Sequence, residues 1–188
     1  VELAQIIGRS PAAFVEGAIM GAVGTGGAAT RILLGGDRAE EAAQALRELG
    51  LNTHCYSRQI GQASMFKMLR SIFSKGLEAL LIEFLLAGNT AGLEGELWTE
   101  VTALMRDHPF EQVAANWVQS HAVAFRRRYH EMEQVAETMR ELNLEPIMTS
   151  GTEAFFRRSL SLGFEHAFEQ KPDSMDTVID FVRQRLAE

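Results

Sequence analysis

The stretch from Gly61 to about Leu93, GQASMFKMLRSIFSKGLEALLIEFLLAGNTAGL, restricts the possible folds of this chain more than any other. Met65, Leu69, Ile72, Phe73, Leu77, Leu80, Leu81, Phe84 and Leu85 recur at steps of three and four, the spacing that lines one face of a helix. That face is expected to be buried. From Leu80 onward, Leu81, Ile82, Phe84, Leu85 and Leu86 carry apolar surface round most of the circumference, which predicts a helix enclosed by other helices. Glu78 and Glu83 interrupt the run, leaving it well short of the roughly 20 apolar residues a bilayer span needs, so no membrane crossing is expected. Gly76 and Ala79 leave room for a second helix, and Asn89 with Gly92 supplies a stop.

Upstream, residues 2–7 read as the end of a helix that Ser10-Pro11 breaks. Ala13 to Ile19 and Arg31 to Gly36 are short apolar runs bounded by glycine, the pattern of buried strands. The Gly24-Thr25-Gly26-Gly27 segment between them lacks the lysine and spacing of a phosphate-binding P-loop and reads as a turn. Asp37 is expected to cap a helix whose buried stripe is Ala42, Ala43, Leu46 and Leu49, with Gly50 ending it. LNTHCYS (Leu51 to Ser57) then reads as a third strand. Three strands and one helix make only part of an α/β sheet, with a face and an edge uncovered.

After Leu93 only helical periodicity remains. Glu94 to Arg106 places Leu97, Trp98, Val101, Leu104 and Met105 on one face before Asp107-His108-Pro109 stops it. Phe110 to about Tyr129 offers Phe110, Val113, Ala114, Trp117, Val118 and Phe125 as core, with Arg126, Arg127 and Arg128 as a basic cluster that reads first as a solvated helix end and second as a phosphate-binding group. A separate helix carries Met132, Val135, Ala136, Met139 and Leu142, ending at Asn143. Ser150 with Glu153 suggests a capping box opening a helix that runs to Gly163. A last helix, Asp173 to Leu186, has the stripe Met175, Val178, Ile179, Val182 and Leu186 and is expected to dock.

A formal charge of -7 argues against a general nucleic-acid or anionic-membrane surface, since both need net positive patches. Cys55 is the single cysteine, so no internal disulfide forms, which suits a reducing compartment, the cytoplasm by default. His54, His108, His121, His130 and His166 are scattered with none at i+4 from another, so no metal site is expected. No serine sits in a nucleophile elbow, and Cys55 reads as a small residue of a strand rather than a nucleophile. Acid–base chemistry is left. Lys67 lies in the first two turns of the long helix between Phe66 and Met68, where partial desolvation would lower its pKa and bring proton transfer near neutral pH within reach. By itself the position better suits a lysine that snorkels its ammonium to water, as most lysines on apolar helices do.

Four segments, in order, resemble the β-hydroxyacid dehydrogenase superfamily, which includes 3-hydroxyisobutyrate and 6-phosphogluconate dehydrogenases. FVEGAIMGAV is similar to its substrate-loop strand, RILLGGD to the strand that follows, GQASMFK to the glycine-led helix carrying the catalytic lysine, and AGLE to the turn after it. HEMEQVAETMRELNLEPIMTSGT resembles the C-terminal helical segment of the phosphogluconate dehydrogenase-like branch of NAD(P)-dependent oxidoreductases. The resemblance covers essentially the whole chain. It implies an α/β remnant, the last strands of a Rossmann-like nucleotide-binding domain, over residues 1–60. An all-α dehydrogenase C-terminal domain built round one long helix, for substrate and dimerisation, follows over residues 61–188.

The resemblance also implies roles. Lys67 would be the general acid/base, exchanging a proton with the substrate hydroxyl while hydride moves to or from NAD or NADP. The serine and two glycines that hold the substrate carboxylate fall on Met20, Gly21 and Ala22, so backbone donors survive and the hydroxyl does not. The asparagine one turn after the lysine falls on Ser71, and a later lysine-aspartate pair, on the cofactor side, falls on His130 and Glu131. These departures point to a pocket with a different polar layout.

No G-x-G-x-x-G follows a strand in these residues, so they are expected to bind nicotinamide poorly or not at all by themselves and to be catalytically inactive alone. The chain lacks an initiator methionine, and it is expected to be an amino-terminally incomplete part of an enzyme. That enzyme would be an NAD(P)-dependent oxidoreductase acting on a small hydroxy acid or related carbonyl compound. The competing reading is a non-catalytic helical dimerisation module. Both expect a homodimer, because Leu80 to Leu86 is apolar on more sides than one chain readily covers.

Overall fold

The computed structural model describes residues 2–8 and 12–187, so the expected break at Ser10-Pro11 lies outside the described residues. The chain divides into two compact units, Val1–Leu77 and Glu78–Glu188, with the division inside the long helix. The first holds a small sheet, and the second consists of helices among its described residues, which bears out the fold class read from the sequence. No helix among the described residues is long and apolar enough to cross a membrane.

In the first unit, α1 (Glu2–Ile7) precedes β1 (Glu16–Ile19), β2 (Ile32–Gly35) and β3 (Thr53–Ser57), which lie in the order β1-β2-β3. β1 runs antiparallel to β2, with Glu16 opposite Gly35 and Ala18 opposite Leu33, and β2 runs parallel to β3. The predicted strands are each trimmed to the residues that find a ladder partner. The glycine-rich link between β1 and β2 is not an open turn. It forms one helical turn, α2 (Val23–Gly26), followed by a 3-10 turn, Gly27–Ala29.

Successive side chains of β2 point to opposite faces of the sheet, and each face has its own small core. Leu34 packs with Ala39 and Ala43 of α3 (Ala39–Glu48), and Cys55 borders this cluster. Leu33 packs with Ala18 and with Ala63, and Met20 lies against them. Thr53, fully buried, donates its hydroxyl to the Ala43 carbonyl at 2.8 Å. Asp37 does not cap α3. Arg38 holds the cap position, no side chain caps the helix, and the Arg38 guanidinium bonds Glu41 instead. Leu49 falls past the helix end and is 77% exposed, so the predicted stripe stops at Leu46.

The long helix forms as expected, as α4 (Gln62–Ala91), with Gly92 at a left-handed φ of 73° after it. Its apolar face is not buried within the chain. Met65, Leu69, Phe73 and Leu80 are exposed, and Ile72 reaches 72%. Only Leu81, Phe84 and Leu85, further along, are half-buried. Periodicity identifies a face that avoids water. It does not say which molecule covers it.

The second unit contains the rest of α4, then α5 (Glu94–Asp107), α6 (Phe110–Glu141), α7 (Ile147–Leu160), α8 (Phe164–Ala167) and α9 (Met175–Arg185). α6 is continuous through Tyr129–Met132, where two helices had been expected. That segment has no glycine or proline, and it is braced by Arg127 with Glu131, Tyr129 with Glu133 and His130 with Glu133 at helical spacing. The core centres on Phe164, 0% exposed, with Ala122, Phe125, Leu162 and Val178. The Phe164 ring lies 5.3 Å from Phe125 and 4.8 Å from Phe181. Phe110 and Trp117, read as core, and Trp98 of the apolar face of α5 are each close to half exposed.

Ser150 and Glu153 make no capping box, because α7 already begins at Ile147. Its free amides are met from α4. Glu83 Oε2 accepts from Met148 N and Oε1 from Thr149 N, each at 2.7 Å, and Oε1 also accepts from Thr149 Oγ1. α7 stops at Leu160 rather than Gly163. α9 is capped by Ser174, which accepts from Thr177 N, and starts after Asp173. Ile179 and Leu186 of its expected stripe stay exposed while Val178 is buried.

Candidate functional site

The chemistry-bearing residues of the first unit gather where β1 and α4 begin and end. Gly61 has φ 96°, a left-handed turn that glycine alone adopts without strain, and it directs the chain from β3 into α4. The first free amides of α4 are satisfied by a side chain far off in sequence. Glu16 Oε1 accepts from Gly61 N at 2.7 Å and from Ala63 N at 3.0 Å, and Oε2 accepts from Ser64 Oγ at 2.6 Å. Nothing in the sequence singled Glu16 out. Its one visible signal is an acidic residue in an otherwise apolar strand run.

Ala63, Lys67 and Ser71 follow each other at i+4, one stripe of α4. Ala63 is fully buried against Ala18 and Leu33, and Met20 packs on the same cluster. The base of the stripe is therefore seated beside the end of β1, and Lys67 stands one turn further along, half-buried. Ser71 Oγ donates to the Lys67 carbonyl at 3.0 Å, which leaves its oxygen lone pairs able to accept.

Met20 N closes the sheet by donating to the Arg31 carbonyl at 2.8 Å. Gly21 follows at φ 144°, and Ala22 is the cap residue of α2, its carbonyl accepting from Thr25 N, Gly26 N and Thr25 Oγ1. Gly21 and Ala22 are exposed. No side chain caps α2, and the Thr25 and Gly26 amides are taken by the Ala22 carbonyl. The structure thus brings Met20, Ala63 and the first turns of α4 together in one unit.

His130 and Glu131 belong to α6, in the other unit. Both are exposed and committed to their own helix, His130 Nδ1 to Glu133 Oε2 at 3.0 Å and Glu131 to Arg127. The Tyr129 hydroxyl, and after it His130, hold the Glu133 carboxyl below the usual carboxylate range. Glu131 also rims a groove of about 480 Å³ lined mainly by apolar residues, among them Phe84, Leu97, Val135 and Met139. Among the described residues no group of three His, Cys, Asp or Glu side chains is placed to hold a metal.

Residues 89–159 match the family model described as a domain of unknown function, DUF1932. Over 112 residues the chain is 31% identical to the "Uncharacterized 28.5 kDa protein in 7S RNA 5'region" of Methanothermus fervidus, covering 60% of this chain and 44% of that protein. Among solved structures it is similar to imine reductase BcSIRED from Bacillus cereus, with TM-score 0.71 and 15% identity, covering 97% of this chain and 65% of that one. An imine reductase from Myxococcus stipitatus, a V8 variant in complex with NAD+, gives TM-score 0.71 at 16% identity, covering 96% and 65%. The chain thus spans less than half of the curated relative and 65% of each reductase. At these identities the reductases establish the fold alone.

Proposed function

From a chain that carries DUF1932, the C-terminal domain of 3-hydroxyacid dehydrogenase-like proteins, on the fold of the imine reductases, we propose part of an NAD(P)-dependent oxidoreductase in which Lys67 moves the proton. The observation that carries this reading is the placement of Lys67 one turn beyond Ala63, which is packed with Met20 at the end of β1. A lysine there can protonate or deprotonate a substrate oxygen held at the Met20–Ala22 turn. The substrate class is a small hydroxy acid or related carbonyl compound. The exposed backbone donors of Gly21 and Ala22 would hold its polar end, Met20 would supply an apolar wall, and Ser71 would accept a hydrogen bond near the lysine.

These residues do not fit a dinucleotide by themselves. They include no G-x-G-x-x-G, the helix after the glycine-rich link is a single turn, and His130 and Glu131 are engaged with their own helix. The division proposed is therefore functional: NAD or NADP bound through sequence outside these 188 residues, residues 1–60 completing that nucleotide-binding domain, and residues 61–188 serving substrate and dimerisation. A cytoplasmic setting and a second copy of the chain as partner complete the proposal.

The test is Lys67→Ala in the full-length protein. Turnover is expected to fall by about 10² or more with cofactor affinity nearly unchanged. Normal kinetics with a small stability change would instead mark a snorkelling lysine. A second reading, a helical dimerisation module without catalysis, draws support from the exposed apolar face of α4. It predicts that Lys67→Ala leaves assembly and every measurable property but local stability alone.

A further inference from the structure

We propose that Glu16 is the positioning residue for Lys67, a clamp that fixes the height and rotation of α4 on the sheet; it rests on the reading of Lys67 as the proton-transfer group. An ordinary helix cap comes from the residue just before the first turn. Here the cap comes from β1, 45, 47 and 48 residues before the groups it holds. The opening of α4 is thereby tied to the sheet and not only to its own leading loop. A slip of one residue along the helix would turn Lys67 about 100° round the axis. Two amides and a hydroxyl on one carboxylate oppose that slip, because a shifted register would take the Ser64 hydroxyl away from Glu16 Oε2.

The fold reserves space for this carboxylate. Glu16 is paired across the ladder with Gly35, and a Cβ at position 35 would stand 2.5 Å from Glu16 Oε1 and 3.2 Å from the Gln59 carbonyl. A side chain at Gly35 would expel the clamp. The carboxylate also fills the electropositive end of α4, where an anion is otherwise welcome. A substrate anion therefore cannot take the Gly61 and Ala63 amides, and its recognition falls to Lys67 and the Met20–Ala22 turn.

The test uses the full-length protein with Glu16→Ala, Glu16→Gln and Gly35→Ala. Glu16→Ala is expected to lower kcat about tenfold or more with the cofactor KM little changed. Added acetate or formate should restore part of that loss, because a small carboxylate can occupy the three vacated donors. Glu16→Gln keeps an acceptor for both amides and should lose less, which keeps the proposal testable if the alanine variant folds poorly. Gly35→Ala should reproduce the alanine phenotype with Glu16 still present. Adding Glu16→Ala to Lys67→Ala should cost nothing further, since a residue acting through Lys67 has nothing left to position. Amide exchange supplies a readout without activity: protection at Gly61 and Ala63 should fall in Glu16→Ala and return with acetate, and the rate of Lys67 labelling by trinitrobenzenesulfonate should change with it. Unchanged exchange and labelling, or multiplicative losses in the double variant, would overturn the clamp. Normal turnover in Lys67→Ala would instead sink the catalytic reading, and exchange and labelling would still decide whether Glu16 positions the lysine.

Discussion

The His121 imidazole stands among the rings of Phe155, Phe156 and Phe164, at 5.7, 5.3 and 5.2 Å, with Nε2 3.0 Å from Ser159 Oγ. Burial first, and then the nearby Arg128 charge, push its pKa down to about 4 from an ordinary 6.5. The sequence offered this histidine only as one of five scattered ones; its surroundings make it a pH-sensitive residue of the second unit. Between about 6.5 and 4 the unfolded chain binds a proton that the folded chain refuses, so stability is full above 6.5 and declines as pH falls through that window. The loss approaches about 3 kcal/mol at its limit. Denaturant midpoints measured across this range should fall toward acid, and His121→Leu should flatten the decline while costing some stability at neutral pH through the lost bond to Ser159 Oγ, whose hydroxyl keeps the Phe155 carbonyl as acceptor. An unchanged slope in that variant would rule the histidine out as its source.

Among the elements, α7 shows how a helix boundary can be decided by another helix. Its sequence advertises a capping box at Ser150 and Glu153, yet it starts at Ile147 because Glu83 of α4 takes the amides of Met148 and Thr149. Burial alone would push the Glu83 carboxyl up, but the Thr149 hydroxyl and the backbone amides together outweigh it and hold the group below its ordinary 4.5. Its contribution is therefore present above about that pH and lost below it, a more acidic window than that of His121. Glu83→Ala should destabilise the fold by about 1–3 kcal/mol, since it strands the Met148 and Thr149 amides and leaves the Thr149 hydroxyl only the Met139 sulfur. Glu83→Gln, which keeps one acceptor oxygen, should cost less. Thermal or denaturant melts of the pair check both, and equal losses would mean that the side chain's bulk, not its acceptors, matters. α6 teaches the complementary lesson: a polar stretch without glycine or proline is no boundary when its charges pair at i+3 and i+4.

For the molecule as a whole, the exposed apolar face of α4 supports the proposal of a homodimer. Ile72 and Ile82, 72% and 63% exposed, would be covered by the second copy in an interface on the order of 2,000 Å² or more. Ile72→Glu or Ile82→Glu should then dissociate the assembly in sedimentation or light scattering. A charge at the half-buried Leu81 or Leu85 should remove fold and dimer together. A folded monomer at micromolar concentration would refute the homodimer. The sequence by itself determined the elements whose signal is local: the strands around Ala18, Leu33 and Cys55, the long helix ending at Gly92, the helical second half, and Lys67 near the start of that helix, because periodicity and glycine punctuation act within a few residues. The motif order behind the family resemblance was legible for the same reason. What only the tertiary structure decided depends on residues brought together from far apart: Glu16 on the opening of α4, Glu83 on the opening of α7, and His121 within its aromatic cage. A carboxylate or an imidazole carries no mark of its partner in the chain, and its role exists only once the fold has placed donors or rings around it.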